Sequence, residues 1–184
     1  NPPVMGARPP IGKQLADLKD AYSRPMLLLL AFAFFLMISM GLGANVAFPR
    51  YYVRLHGIPM HEATATIAAV TLAMIVGSIS VGVLLRGGAK PHRLYTIIAV
   101  IGFAAGVLCF WPGLGMPGHT VAMAAWFFLT GAGLAVIMAT LPVVAEPERR
   151  GAAAALINQA GAVATFLNPP IWLGLAEGGH WSGF

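Results

Sequence analysis

The chain has 184 residues, of which 58% are hydrophobic and only 9% are charged, and its formal net charge is +5. Soluble domains carry about 25% charged residues, so this composition excludes an ordinary soluble protein. The Lys and Arg residues sit in short segments between apolar stretches rather than as one patch, so the positive charge does not indicate a nucleic-acid-binding protein.

The N-terminal segment is polar and precedes the first apolar stretch. Residues 1–10 are rich in Pro, which predicts an extended or disordered segment. Apolar residues then recur at helical spacing, at Ile11, Leu15, Leu18 and Tyr22. This spacing predicts an amphipathic helix that lies on the inner membrane surface, with a solvated linker as the alternative. We expect residues 1–25 to form a cytoplasmic linker and residues 26–184 to form a transmembrane half-bundle.

Five apolar stretches follow, and none contains a charged residue. A hydrocarbon core about 30 Å thick needs about 20 helical residues, which each stretch supplies within the uncertainty of its bounds. The stretches run approximately over residues 26–48, 63–85, 94–111, 120–145 and 152–176. The predicted fold class is therefore an all-α membrane protein, a polytopic bundle of about five transmembrane helices. The chain stops soon after the fifth, so we expect it to be cut before a last helix.

The distribution of basic residues predicts the orientation. Nine of them fall on the side of the N-terminal segment, and only Arg50 and Arg54 fall on the other side. An excess of Lys and Arg marks the cytoplasmic side of a membrane, so we expect the N-terminus in the cytoplasm. The membrane we expect is the plasma (inner) membrane. Aromatic residues near the predicted outer ends suit an interfacial belt: Tyr51, Tyr52, Trp111, Trp172 and Trp181.

Inside the apolar stretches the polar side chains are all neutral. A proton-coupling carboxylate would therefore have to lie in another part of the protein. The adjacent amides Asn158 and Gln159 are costly to bury without partners, and they either bond between helices or contact a solute. Trp126 and Thr130 are one helical turn apart and could line a cavity wall together; a lipid-facing Trp126 is the alternative.

Small residues and prolines mark the helix interiors. Small residues recur four positions apart, at Ser78 and Gly82 and at Gly102 and Gly106. This spacing predicts close packing of helices. Pro142, Pro169 and Pro170 interrupt the hydrogen-bond ladder, so we expect kinks that are either fixed bends or flexible points of a gate.

Catalytic and metal-binding patterns are missing from the sequence. The histidines lie in predicted loops without helical metal-ligand spacing, at His56, His61, His92, His119 and His180. The single Cys109 cannot form a Cys-based zinc site, and no phosphate-binding glycine loop is present. We expect no enzyme activity, no metal and no cofactor.

Taken in order, these features resemble the C-terminal half of a major facilitator superfamily transporter, from helix seven to helix eleven. The turn after the second stretch is similar to the glycine-and-basic loop motif of that family, at Gly82, Arg86, Lys90 and Arg93. The segment from Glu146 to Gly151, followed by Gln159 and Asn168-Pro169-Pro170, is similar to the inner loop and helix eleven. Within the superfamily, residues 141–170 resemble cyanate-permease-type carriers of small anions.

The resemblance implies a secondary active transporter with alternating access, in which two halves rock about a central site. It implies cavity-lining roles for residues of helices seven, ten and eleven: Phe34, Ile38, Asn45, Trp126, Thr130, Asn158 and Gln159. The implied partners are a small solute, such as a small organic or inorganic anion, the N-terminal half of the transporter and the lipid bilayer. The alternative function is a non-transporting membrane scaffold or assembly subunit.

Overall fold

The computed structural model describes residues 10–178, and in this part the regular structure is entirely helical. The Pro-rich start, Arg8, His180 and Trp181 lie outside the described residues. Seven α-helices follow one another: α1 (Ile11–Tyr22), α2 (Pro25–His56), α3 (Met60–Thr71), α4 (Ala73–Arg86), α5 (Pro91–Cys109), α6 (Met116–Val144) and α7 (Arg150–Glu177). A short 3₁₀ turn, Pro147–Arg149, precedes α7.

Proline and glycine set several helix ends. Pro25 and Pro91 open α2 and α5, where a missing backbone N–H costs no helical hydrogen bond. Gly57 closes α2 in the left-handed region at φ 66°, and its N–H donates to the carbonyl of Val53 at 3.0 Å. Residues with a Cβ rarely adopt this conformation, so Gly57 suits the sharp exit from α2.

Four helical segments of the described chain are long and apolar enough to cross a membrane: Pro25–His56, Met60–Arg86, Pro91–Cys109 and Met116–Val144. The second joins α3 and α4, because Leu72 between them keeps right-handed helical angles. The prediction of an all-α polytopic membrane protein is confirmed. Helix α7 has 28 residues but carries several amides and two prolines, and its membrane span stays a prediction.

Helix α2 runs eight residues past the predicted span 26–48 and passes through the buried Pro49. At about 1.5 Å per residue, its 32 residues are longer than a hydrocarbon core of about 30 Å requires. A helix of this length tilts or projects from the bilayer. The polar Asn45 and Pro49 therefore lie within α2 and do not end it.

Helix α6 lies at the centre of the bundle and packs against α2, α4 and α5, while α7 packs along α2. Contact between α4 and α6 is close because glycines face backbone carbonyls across it. A Cβ at Gly77 would clash with the carbonyl of Phe128, and one at Gly131 would clash with that of Met74. Ser78 donates to the carbonyl of Gly131 at 3.0 Å, whereas a Cβ at Gly82 would meet open space.

Charged side chains gather where α1, the start of α2 and the turn before α7 meet. Arg24 pairs with Asp20 at 2.9 Å and with Glu146 at 3.1 Å. Arg149 also contacts Asp20, and its distance to Glu146 is 3.5 Å. The hydrogen bonds that Arg24 donates to the carboxylates of Glu146 and Asp20 raise the pKa of Arg24 above its usual value, so this guanidinium stays charged. We call these four residues the ion-pair cluster.

The opposite end of the bundle has contacts of its own. Arg50 near the end of α2 pairs with Glu177 at the end of α7 at 3.3 Å, and the hydroxyls of Tyr52 and Thr120 lie 3.0 Å apart. Helices α2 and α7 therefore run parallel, from the ion-pair cluster to this end, whereas α6 starts here and runs back towards the cluster. This is the arrangement that a chain crossing a membrane repeatedly requires.

Candidate functional site

Asn45 is an exposed amide in the apolar part of α2. Its Nδ2 donates to the carbonyl of Gly41 at 3.0 Å, and its Oδ1 accepts from the hydroxyl of Thr71 at 3.2 Å. Thr71 ends α3, and its single hydroxyl hydrogen is shared between Asn45 and the carbonyl of Ile67, which lies closer at 2.8 Å. An amide and a hydroxyl are thus held side by side on the surface of the membrane-spanning bundle. We call Asn45 and Thr71 the polar pair.

The sequence also predicts cavity-lining roles for two other residues of α2, Ile38 and Phe34. Ile38 is seven residues from Asn45, which places both on one helix face, and it is partly exposed. Phe34 packs against α7, where a Cβ on Gly161 would come within 2.7 Å of its ring. Phe34 is therefore mainly a packing residue in the described part of the chain.

A cavity of about 700 Å³ opens on a different side of α2. Its lining comes from α2, α5, α6 and α7 and includes Met37, Met40, Phe103, Phe110, Trp126 and Trp172. Met40 is five residues from Asn45, so the two side chains point about 140° apart around a helix that turns about 100° per residue. The cavity and the polar pair therefore lie on separate faces of α2.

Trp126 and Thr130 do not share a wall. The indole of Trp126 lines the cavity, and its Nε1 donates to the carbonyl of Met40 at 3.3 Å. Thr130 is fully buried where α6 meets α2 beside Gly41, and its hydroxyl donates to the carbonyl of Trp126 at 2.9 Å. Trp126 is thus an apolar lining group, and Thr130 is a packing residue.

The adjacent amides of α7 have different surroundings, as their separation of about 100° around the helix implies. The side chain of Gln159 accepts a hydrogen bond from the hydroxyl of Tyr22 at 2.5 Å, which ties α7 to α1. Asn158 is exposed on the surface of α7. Gln159 therefore has an interhelical bond, and Asn158 stays the candidate for contact with a solute.

Asn168 is a buried amide of α7 that the sequence did not single out as a site. It is 5% exposed, and its Nδ2 lies 2.8 Å from the hydroxyl of Ser39 and 2.6 Å from the carbonyl of Ala164. Its Oδ1 accepts from Nε1 of Trp172 at 2.8 Å. In the sequence Asn168 stands beside two prolines, and this pattern predicts a kink. It does not indicate that α7 contacts α2 at this residue.

The predicted gating and loop residues lie at helix ends and inside α7. The carbonyl of Pro142, in the last turn of α6, accepts from Arg150 at 3.1 Å. Pro169 and Pro170 both lie inside the continuous helix α7. At the turn from α4 to α5, the basic side chains of the loop motif are exposed, at Arg86, Lys90 and Arg93. Gly82 lies one turn before them on α4.

Comparison with known proteins gives one positive result. The sequence model of the Major Facilitator Superfamily matches residues 1–181, which is nearly the whole chain. No curated protein matches the chain, and no solved structure matches it.

Proposed function

The chain belongs to the major facilitator superfamily, a family of membrane transporters, and from that premise we propose that it is the C-terminal half of a secondary active transporter that works by alternating access. The solute is small, and the membrane is the plasma (inner) membrane. In this proposal, a cytoplasmic linker at residues 1–25 leads into a half-bundle at residues 26–184. The polar pair on α2 and α3 faces the path of the solute.

The observation that carries the proposal is the exposure of Asn45 in an apolar helix. Gly41 and Thr71 satisfy part of this amide, but its second amide hydrogen would find no acceptor in lipid, which costs about 1–3 kcal/mol. Polar side chains at this depth therefore face a protein interior or a water-filled path rather than lipid. We infer that Asn45 and Thr71 face such a path, together with Ile38 on the same side of α2.

The cavity beside Trp126 is a weaker candidate for a polar solute. Its lining consists almost entirely of apolar side chains, with Ser39 and Tyr95 among the few that carry a hydroxyl. A polar solute that entered it would lose hydrogen bonds to water and gain few in return. The polar pair offers more, because an amide nitrogen carries two hydrogens and Gly41 takes one of them.

A small organic or inorganic anion is the solute class we propose. The remaining amide hydrogen of Asn45 can donate to an anion. The exposed amide of Asn158 offers a donor at a separate level of the path, because its neighbour Gly161 contacts Phe34 rather than the turn of Asn45. Neither residue brings a negative charge into the path. The resemblance to carriers of small anions points in the same direction.

The proposed orientation places the ion-pair cluster in the cytoplasm. The basic loop of Arg86, Lys90 and Arg93 then lies on that side too, which agrees with the positive-inside rule. The N-terminal half of the transporter would close the path from the side of the polar pair.

Uptake measurements on the full-length transporter test the proposal. Uptake would be measured for a panel of small anions. We expect Asn45→Ala and Thr71→Ala to raise the KM of the transported anion by about two- to tenfold, because each variant loses about one hydrogen bond. Ser80→Ala is the matched control, because among residues 10–178 the hydroxyl of Ser80 bonds within its own helix, to the carbonyl of Val76 at 2.8 Å. Equal KM values for all three variants and the unchanged protein would overturn the assignment of the path.

A further inference from the structure

Two histidines contact each other where α2 ends and α6 begins. Nε2 of His56 lies 3.1 Å from Nδ1 of His119, and Nε2 of His119 lies 2.9 Å from the carbonyl oxygen of Trp111. His119 is fully buried, whereas His56 is partly exposed. The sequence placed both residues in loops and gave neither a role.

The hydrogen-bond geometry fixes the protons of this pair. A carbonyl only accepts, so Nε2 of His119 carries a hydrogen. In the neutral ring Nδ1 of His119 is then an acceptor, and Nε2 of His56 must donate to it. Nδ1 of His56 is the one ring nitrogen left to take up a proton while both hydrogen bonds persist.

A second proton would have to go to Nδ1 of His119. There it would place one N–H against another, and it would put a cation in a site without exposure to solvent. Both effects disfavour the doubly protonated pair as long as the two rings stay in contact.

The groups around the pair are aromatic and neutral. The ring of Tyr52 lies 5.2 Å from His56, and that of Tyr51 lies 5.9 Å from His119. Cys109 of α5 is buried in the same cluster, and the hydroxyl of Thr120 on α6 bonds to Tyr52. The nearest titratable groups of α3, His61 and Glu62, lie 4.0 Å from each other at its exposed start.

Arg50, which precedes His56 on α2, pairs with Glu177 of α7. Arg54 is exposed on the last turns of α2. In the described part of the chain no group of three His, Cys, Asp or Glu residues could hold a metal ion, so the pair lacks a third ligand.

We propose that the neutral pair of His56 and His119 is a proton-binding site that takes up one additional proton, on Nδ1 of His56. Uptake of a second additional proton, on Nδ1 of His119, then separates the end of α2 from the start of α6. The site thus links acidity to the opening of this end of the bundle. The inference depends only on the geometry of the two rings and stands apart from the proposed solute path.

Nuclear magnetic resonance of the full chain, labelled with ¹⁵N in histidine, reads the protons directly. At about pH 8, above the ordinary histidine pKa of about 6.5, we expect both rings as Nε2–H tautomers. On acidification one ring should become an imidazolium while its partner stays neutral. An Nδ1–H tautomer in His119, or two rings that become charged together while in contact, would overturn the proposal.

The buried thiol of Cys109 reports the opening. We expect its rate of reaction with a maleimide, relative to that of the unfolded chain at the same pH, to rise about tenfold or more between about pH 8 and about pH 5, because each 1.4 kcal/mol lost multiplies the open fraction by ten. The division by the unfolded rate removes the pH dependence of the thiol itself.

His119→Gln is the decisive variant, because a glutamine amide can donate to Trp111 and accept from His56 but cannot take a second proton. We expect its Cys109 to stay protected across the same pH range. His61→Gln, an exposed histidine at the same end, is the matched control and should keep the response of the unchanged chain. A flat response in the unchanged chain, or the same acid response in His119→Gln, contradicts the proposal.

Discussion

At the residue scale, the most informative side chain is Asn168. It joins α7 to α2 through Ser39 and holds the indole of Trp172, so its amide nitrogen and its amide oxygen both have partners inside the bundle. Buried polar groups that are satisfied in this way fix how two helices meet, because any other rotation would leave them without partners.

We expect Asn168→Ala to destabilise the protein. The change removes the hydrogen bonds that Asn168 makes with Ser39 and Trp172 and should cost about 1–2 kcal/mol, within the range for lost buried hydrogen bonds. The free energy of unfolding in mixed detergent micelles measures this loss. Asn158→Ala is the control, since the exposed Asn158 should change stability by less than about 0.5 kcal/mol.

The rotation of each helix about its own axis is the part that the sequence could not supply. Lipid-facing and packed surfaces are both apolar in these helices, so periodicity does not separate them. Trp126 and Thr130 illustrate this. They are one turn apart on α6, but Trp126 lines the cavity whereas Thr130 is buried in the contact with α2. Asn168 illustrates it too, because its partner Ser39 is far away along the chain.

At the element scale, the contact between α4 and α6 depends on the absence of side chains. We expect Gly131→Ala to lower the melting temperature in detergent, because its Cβ meets the Met74 backbone, which cannot move aside without shifting α4. Overpacking of this kind costs about 1–3 kcal/mol. Gly82→Ala adds the same methyl group in open space and should be neutral; equal losses in both variants would refute the packing explanation.

The ion-pair cluster holds α1 against the bundle. Asp20→Asn weakens its pairs with both Arg24 and Arg149, so we expect a loss of about 1 kcal/mol at low salt. At about 1 M salt the difference should shrink, because the Debye length falls to about 3 Å. Thermal unfolding at the two salt concentrations measures it, with Asp17→Asn on the same helix as control. A salt-independent loss would mean that Asp20 acts through packing.

The helices themselves could be predicted because hydropathy and length determine them. The apolar stretches and the turns between them follow from the positions of charged residues and of Pro and Gly. The end of α2 was harder to place, since a proline usually ends a helix, but Pro49 is buried inside a long one. Membrane helices tolerate such prolines because neighbouring groups satisfy the freed carbonyl.

At the scale of the whole molecule, α2 separates two environments. One face carries the polar pair, and another borders the apolar cavity beside Trp126. A transporter needs such a division, because one surface must face the solute path while others meet lipid or apolar helices. The membership in the major facilitator superfamily and this division of α2 together make the case for transport.

Cysteine accessibility on α2 tests that division most directly. Asn45→Cys and Met40→Cys would be compared in the full-length transporter, in a background without other cysteines, using a membrane-impermeant maleimide on intact cells. We expect the thiol at position 45 to react, and more slowly when transported solute is present, while the thiol at position 40 stays unreactive. Reaction at position 40 without reaction at position 45 would contradict the assignment of the solute path.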